Sequence, residues 1–473
     1  IDFAPVNRQP DGSATMPDTA IADARRGVSS EQLMRLKSEA EAAYVAARPK
    51  SAAVARGDSG FLGGVPMHWM RDWPMPFPML VAKAKKATLV DIDGNLVDDF
   101  CLGDTGSMFG HSPKPVAKAI RHQARNGLTY MLPTEDAVAV GGLLSDIFGP
   151  FQWQIATTAT DANRFALKVA RAVTGRRKIL VFNGCYHGTV DETFVRLKDG
   201  VAEARPGLVG AAFDPASQTK VVEFNDVAAL GQALADRDVA CVIAEPVLTN
   251  SCMVLPQPSF HAELRRLTRE TGTLLLIDET HTISTGLGGY TRTHGLEPDI
   301  FVVGKPVAGG VAASVWGISA EIARRFAAYD RGRDPGHSGM GTTLSGNPLQ
   351  FAAMRANLGE VMTAKAYARM ERLAARLEKG LARAIAKADL PWHVVRVGAR
   401  VEFICAPGPL KNGREAEAAH APDLEAAIHL ALVARGVLIA PFHNMMLISP
   451  VTKKRQVDGL VQAFGDIVDF LSS

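Results

Sequence analysis

The runs LLLIDET at 274–280 and FVVGKPVAGG at 301–310 decide how this chain folds. Each begins as a short apolar strand and ends on a turn of polar or small residues, and the two strand ends carry an acid, Asp278, and an amine, Lys305. Runs of the same kind lie to either side: KILVF at 178–182, TKVVEF at 219–224, VACVIA at 239–244 and VAASVWGI at 311–318, with amphipathic helical stretches between them. Strands that are apolar throughout, rather than alternating, are buried on both faces, so the pattern from about residue 88 predicts an α/β domain with crossover helices. After Asn347 the rhythm changes. Long helical stretches at 349–362 and 367–388 precede the strand-like HVVRVGARVEFIC at 393–405 and two further helices, which reads as a smaller α+β domain. The expected division is an N-terminal arm and segment packing with the small domain at 1–85, a large domain at 86–346 and a small domain at 347–473. Within the first part, Trp69, Trp73 and Phe77 sit in a run rich in proline and methionine, stiff and apolar, that either packs against the body or a partner subunit or lines a pocket.

Composition narrows the function. With 473 residues, 47% hydrophobic and 21% charged, the chain can bury a large core and is neither disordered nor fibrous. Its 52 basic and 49 acidic residues leave a net charge of +3, too weak a field to make nucleic acid or an anionic membrane the main partner, so a small molecule is the expected one. The five cysteines are scattered and form no CxxC pair, which argues against a disulfide framework or a zinc ribbon and for a reducing, cytoplasmic setting. No HExxH spacing marks a metal site, no GxGxxG follows a strand, and the GK of VVGKP lacks the Walker spacing. No run approaches the roughly 20 apolar residues of a membrane span, and the first residues lack the apolar core of a signal peptide.

In an open α/β sheet, functional groups gather beyond the carboxyl ends of the strands, so Asp278 and Lys305 can meet in one crevice. A lysine amine adds to an aldehyde, and a carboxylate can keep a pyridine nitrogen protonated. Those are the two groups that pyridoxal phosphate requires for its Schiff base and for its ring to accept electrons. Either residue alone also reads as half of a structural ion pair. For a phosphate the candidate is TATDA at 158–162, where a small polar stretch runs into a helix that Gly175 ends: Thr158, Ala159 and Thr160 would offer free amides, with simple N-capping as the alternative. Tyr186, after the strand KILVF, is either a ring that stacks on a planar cofactor or a core tyrosine.

Taken in order, TATDA, FNGCYHG, AEPV, LIDETHT, GKPVAGG and GTTLSGNP resemble the class-III aminotransferases, most nearly the glutamate semialdehyde aminomutase and β-amino acid aminotransferase branch, over residues 85 to 450. The resemblance implies a fold-type-I subunit with a mainly parallel seven-stranded sheet, pyridoxal 5'-phosphate as cofactor, and a homodimer with shared active sites. It implies Lys305 as Schiff-base lysine and proton shuttle, Asp278 as partner of the pyridine nitrogen, and Thr158, Ala159 and Thr160 as the phosphate cup. Tyr186 would be the stacking ring, Glu245 an acid beneath the cofactor, and Thr343 a phosphate ligand lent by the neighbouring subunit. The chain departs from the family's SGTEA by Ala159 and Asp161, and His281 stands near the cofactor's phenolic oxygen where a Gln or Met is usual.

The activity implied is transamination from an amine or β-amino acid donor to a keto acid such as pyruvate, with an intramolecular aminomutase of the glutamate semialdehyde type as the alternative. Where the branch carries a polar or cationic loop, this chain reads GGVPMHWMRDW. There His68, Trp69 and a displaced Arg71 would give the substrate pocket one apolar side. Strand alternation places Arg396, Gly398, Arg400 and Glu402 on one face of HVVRVGARVEF. Arg400 is thus expected to hold a substrate carboxylate and to pair with Glu402 when the site is empty, a permanent surface pair being the alternative.

Overall fold

The computed structural model describes residues 27–473, so most of the expected N-terminal arm lies outside the described residues. Its central sheet has seven strands, in the order Gln152–Ala156, Ser314–Ile318, Ile300–Val303, Leu274–Asp278, Val239–Ala244, Lys178–Phe182 and Thr219–Val222. Only Ser314–Ile318 runs against its neighbours; the other neighbouring pairs are parallel. Every residue of the Val239, Leu274 and Ile300 strands is buried, which is why they read as unbroken apolar runs. Alternate side chains feed two cores: Ile300 and Val302 join one apolar cluster, Phe301 and Val303 the other. Around Phe301, Phe148, Phe151 and Trp153 pack with ring centroids 5.3–5.8 Å away.

Register positions the chemistry. Asp278, the last residue of its strand, lies opposite Val302, so Lys305, just past the end of the neighbouring parallel strand, emerges at the same edge of the sheet.

A second sheet joins Val81–Lys85, Thr88–Asp91 and Leu96–Asp99 to Val437–Leu438. The expected division at residue 85 therefore falls in the turn between two antiparallel strands, and residues 81–99 share a sheet with the C-terminal part of the chain. The helix Ser30–Ala46 packs along Pro422–Ala434. Much of the aromatic run packs here too: Trp73 meets His429 edge-on at 5.7 Å, and Phe77 lies 5.2 Å from Tyr44, whose hydroxyl donates to the Phe77 carbonyl.

A third sheet corrects the reading of HVVRVGARVEF. The stretch is not one strand but a hairpin, His393–Val397 and Arg400–Ile404, with Val397 paired to Arg400 across a two-residue turn. Gly398 opens that turn at φ +56°, and a Cβ there would sit 2.4 Å from Thr285 Cα. The Arg400–Ile404 strand, flanked also by Met445–Leu447, is buried throughout, so neither face is a surface. Among the described residues no helix is long and apolar enough to cross a membrane.

Candidate active site

Three strand ends and one loop converge on Lys305. Its Nζ donates to Asp104 Oδ2 at 2.7 Å and lies 2.7 Å from His281 Nε2. His281 Nδ1 in turn lies 2.9 Å from Arg400 Nη2 and 3.0 Å from Thr105 Oγ1. A guanidinium can only donate, so Nδ1 accepts, and a neutral imidazole then carries its proton on Nε2; because that proton faces Lys305 Nζ, the lysine is a hydrogen-bond partner of His281 only as the free amine. Burial first, then the charges of Lys305 and Arg400, hold the His281 imidazole well below its ordinary pKa and hence neutral, against the pull of Asp104. His281, expected beside the cofactor, therefore shares one cluster with Lys305 and Arg400.

Arg400 is fully buried. It does not pair with Glu402 as expected: Nη2 donates to Thr105 Oγ1 and His281, while Nε, Nη1 and Glu402 Oε2 are buried without hydrogen-bond partners. The hairpin turn is the reason. It brings Arg400 toward the loop that carries Thr105, and nothing leaves the side chain in water where a surface pair would form.

Asp278 sits in a separate, fully satisfied nest. His187 Nδ1 donates to Oδ2 at 3.0 Å and Asn163 Nδ2 to the same atom at 2.9 Å, while the amide and hydroxyl of Thr280 donate to Oδ1 at 3.1 and 2.6 Å. Burial alone would raise its pKa, but the His187 contact and these hydrogen bonds prevail and hold the carboxyl below its ordinary range. For His187 burial likewise opposes the charge, yet Cys185 and Asp278 push the imidazole up to about 10. Glu279, next along the chain, is turned away to hold Thr282 Oγ1 and the amides of Tyr290 and Thr291.

The phosphate candidate is the start of the helix Ala159–Thr174. Thr158 is its N-cap and accepts from the Asp161 amide, which leaves the amides of Ala159 and Thr160 at the first helical positions without carbonyl partners inside the helix. Ala159 adopts helical geometry, so replacing the family's glycine there costs no conformational freedom. Gly304 packs against this terminus so closely that a Cβ on it would stand 2.9 Å from Ala159 Cβ. Glu245 is buried and accepts from the Tyr186 amide at 3.3 Å and from Thr249; burial, opposed mainly by His187, raises its pKa. Tyr186 itself is exposed on one side.

These residues fit pyridoxal phosphate. A buried, ionised acid and a reachable amine stand at one sheet edge, and a helix N-terminus with two free amides lies beside the lysine turn.

Four expected contacts do not enter this cluster. His68, Trp69 and Arg71 lie on an exposed segment, with Arg71 folded over Gly63, and Thr343 is exposed in a loop without a hydrogen bond to Thr158, Ala159 or Thr160. Conversely, sequence reasoning missed Asp104, Thr105, Asn163 and Thr280, and gave His187 no role at the site. Its place next to Tyr186, at the end of a strand neighbouring that of Glu245, was the available signal. Among the described residues no group of three His, Cys, Asp or Glu could hold a metal ion.

The profile of the aminotransferase class-III family matches residues 70–468. The glutamate-1-semialdehyde 2,1-aminomutase of Desulfosudis oleivorans is 34% identical over 373 residues, 77% of this chain and 85% of its own length. A crystal structure of a glutamate-1-semialdehyde-aminomutase from Pseudomonas aeruginosa PAO1 matches with a TM-score of 0.92 at 46% identity, covering 94% of this chain and 100% of that one. A lysine-to-alanine variant of it, in complex with PMP, matches equally. A β-phenylalanine aminotransferase from Variovorax paradoxus shares the fold, with a TM-score of 0.81 at 24% identity over 92% of this chain and 97% of that one. With the acid, the amine and the helix terminus in the family's order and at one sheet edge, this chain belongs to the class-III aminotransferases, pyridoxal-phosphate enzymes of fold type I.

Proposed function

We propose that the chain moves an amino group within one small, carboxylate-bearing amino aldehyde, as an aminomutase. The observation that carries this reading is the cluster in which His281 lies between Lys305 and buried Arg400, with two Arg400 nitrogens left unpartnered: an amine for the chemistry and a cation for a carboxylate side by side. The relatives at 34% and 46% identity that bear the aminomutase name support it. When bound, pyridoxal phosphate supplies the carbonyl that takes up the amino group and the ring that accepts the electrons left by deprotonation. Asp278 keeps a proton at the ring nitrogen, Lys305 anchors the cofactor and then moves a proton at the reacting carbon, and His281 directs its Nε2 proton at the acceptor beside them.

The second reading is transamination between an amine or β-amino acid donor and a keto acid such as pyruvate. It rests on the match of residues 70–468 to the aminotransferase class-III family. The two separate in an assay of the purified holoenzyme with 4-amino-5-oxopentanoate alone and with amine and pyruvate pairs. Conversion of the single substrate without acceptor supports the aminomutase; turnover only with pairs overturns it. The five cysteines are all free and buried, in keeping with a reducing compartment such as the cytoplasm.

Arg400 gives a prediction of its own. Arg400→Met, which keeps the side-chain volume, should raise the KM for the carboxylate-bearing substrate by more than about tenfold, roughly 1.4 kcal/mol of charge-assisted bonding, and change kcat much less. Steady-state kinetics that show the loss in kcat instead would move the carboxylate to Arg71 or elsewhere.

The homodimer belongs to the same proposal. Thr343 is exposed, and beside it a cleft of about 360 Å³ is lined by Val140, Leu144, Thr342 and Ser345. A partner that receives Thr343 across this face completes its phosphate cup. Mixed dimers of Lys305→Ala with Thr343→Ala should then regain one intact site per dimer, read as activity well above either parent. Activity no higher than the parents' would exclude the crossed arrangement.

A further inference from the structure

The loop after Leu96–Asp99 is built to hold one carboxylate in an unusual place. Leu102, Gly103, Asp104 and Thr105 are consecutive left-handed residues at φ +48°, +58°, +46° and +82°, a conformation that three of the four side chains disfavour. The surroundings enforce it. Asp99 Oδ1 accepts from the amides of Cys101 and Leu102 at 2.9 and 2.8 Å, its Oδ2 meets His111 Nε2 at 2.7 Å, and Cys101, Leu102 and Thr105 are buried. The excursion delivers Asp104 to Lys305 across 201 residues of sequence. Although the side chain is 40% exposed overall, Oδ1 is turned inward, buried without a hydrogen-bond partner and 3.8 Å from His281 Nδ1.

A carboxylate beside the reactive amine does nothing for a keto acid or for the carboxylate of an amino acid, both of which it repels. It suits a substrate with a further positive charge next to the reacting carbon. An amino aldehyde whose amino group is to move to the neighbouring carbon passes through such a species. The aldehyde carbon exchanges its oxygen for NH2 and H while the donor carbon makes the reverse exchange, so atoms and electrons balance and the substrate briefly carries two adjacent amino groups. Only one of them reacts at a time; the other is an ammonium that must be kept in place.

We propose that Asp104 is a specificity-determining residue that binds the non-reacting ammonium of a vicinal diamino carboxylate, while Arg400 takes its carboxylate. The inference rests on the aminomutase reading and adds to it the group that keeps the two-amine species from leaving half-converted. Asp104 Oδ1 is the free acceptor, Arg400 Nε and Nη1 are the free donors, and His281, hydrogen-bonded to Arg400 and 2.7 Å from Lys305 Nζ, sets the spacing between the two ends of the cluster.

The test is equilibrium titration of the holoenzyme, followed by cofactor absorbance and by calorimetry, with 4,5-diaminopentanoate and with 5-aminopentanoate, which lacks the second amine. The wild type should bind the diamine at least about tenfold more tightly than the monoamine, and Asp104→Asn should lose that preference while its affinity for 5-aminopentanoate stays within about threefold. A wild type without the preference, an Asp104→Asn variant that retains it, or a parallel loss of both affinities would each overturn the assignment, the last by showing that Asp104 only holds the loop. Isomerisation of 4-amino-5-oxopentanoate by the wild type is measured separately. Its absence removes the aminomutase reading, whereas an unchanged binding ratio in a wild type that isomerises removes Asp104 alone.

Discussion

Lys305→Ala is expected to lower turnover by at least about 10⁴-fold, on the order of 5 kcal/mol of transition-state stabilisation, and to end covalent attachment of the cofactor. Within the cluster of Asp104, Thr105, His281 and Arg400, Lys305 is the sole lysine, so no second amine stands ready to replace it. The fold should survive. Lys305 lies at φ +44°, and alanine pays the same conformational cost there as lysine, while the half-buried side chain supports no core packing. What changes is electrostatic. Asp104 keeps a carboxyl well below its ordinary range, where burial opposes the charge and Lys305 is the largest influence favouring it; without that amine the loop loses its main counter-charge. Borohydride reduction followed by denaturation and mass measurement reads the attachment directly: the wild type should carry the cofactor mass and the variant should not. Lys305→Arg separates charge from chemistry, since a guanidinium restores the ion pair with Asp104 yet cannot act as the nucleophile. Cofactor mass retained by Lys305→Ala would remove the lysine from its assigned place.

The parts of the molecule that were legible in the sequence are those where one residue's environment follows from its immediate neighbours. Asp278 and Lys305 each end a strand that is buried on both faces, and a parallel sheet carries both ends to one edge whatever the helices between them do. Thr158 precedes a helix that Gly175 closes in the left-handed conformation, so its N-terminus was local information as well. Arg400 was found but misdirected, because Gly398 read as one more residue of an alternating strand when its freedom at positive φ makes it the turn of a hairpin. Asp104 was out of reach. Its position depends on a run of left-handed residues enforced by Asp99 and His111, and nothing in CLGDTGS announces that these side chains would be held there. His68, Trp69 and Arg71 were placed by likeness of position to a family loop, and likeness of position does not carry side-chain contacts when the loop sequence itself has changed.

Asp278→Asn should leave the cofactor bound and slow turnover by about three orders of magnitude, near 4 kcal/mol, because a neutral amide cannot hold a proton at the ring nitrogen through electrostatic attraction. The substitution keeps shape but not polarity. Thr280 can still donate to a carbonyl oxygen at one position, whereas the amide nitrogen at the other would face Asn163 Nδ2 and His187 Nδ1, both of which now donate to Asp278 Oδ2. His187 is therefore the reporter. Its pKa is raised from 6.5 to about 10, so the stability that its pairing with Asp278 contributes is fully present below about pH 6.5 and lost as pH rises through about 10. Asp278 is depressed below 3.8, so its own contribution is present above that value and lost as pH falls through the folded-state pKa. Between these limits wild type and variant should differ most in thermal midpoint, and the difference should shrink as pH approaches about 10. A difference independent of pH would mean that packing, not charge, is lost. Turnover within tenfold of wild type, with cofactor absorbance unchanged, would show that the acid at the end of this strand holds the fold together and leaves the proton on the ring to another group.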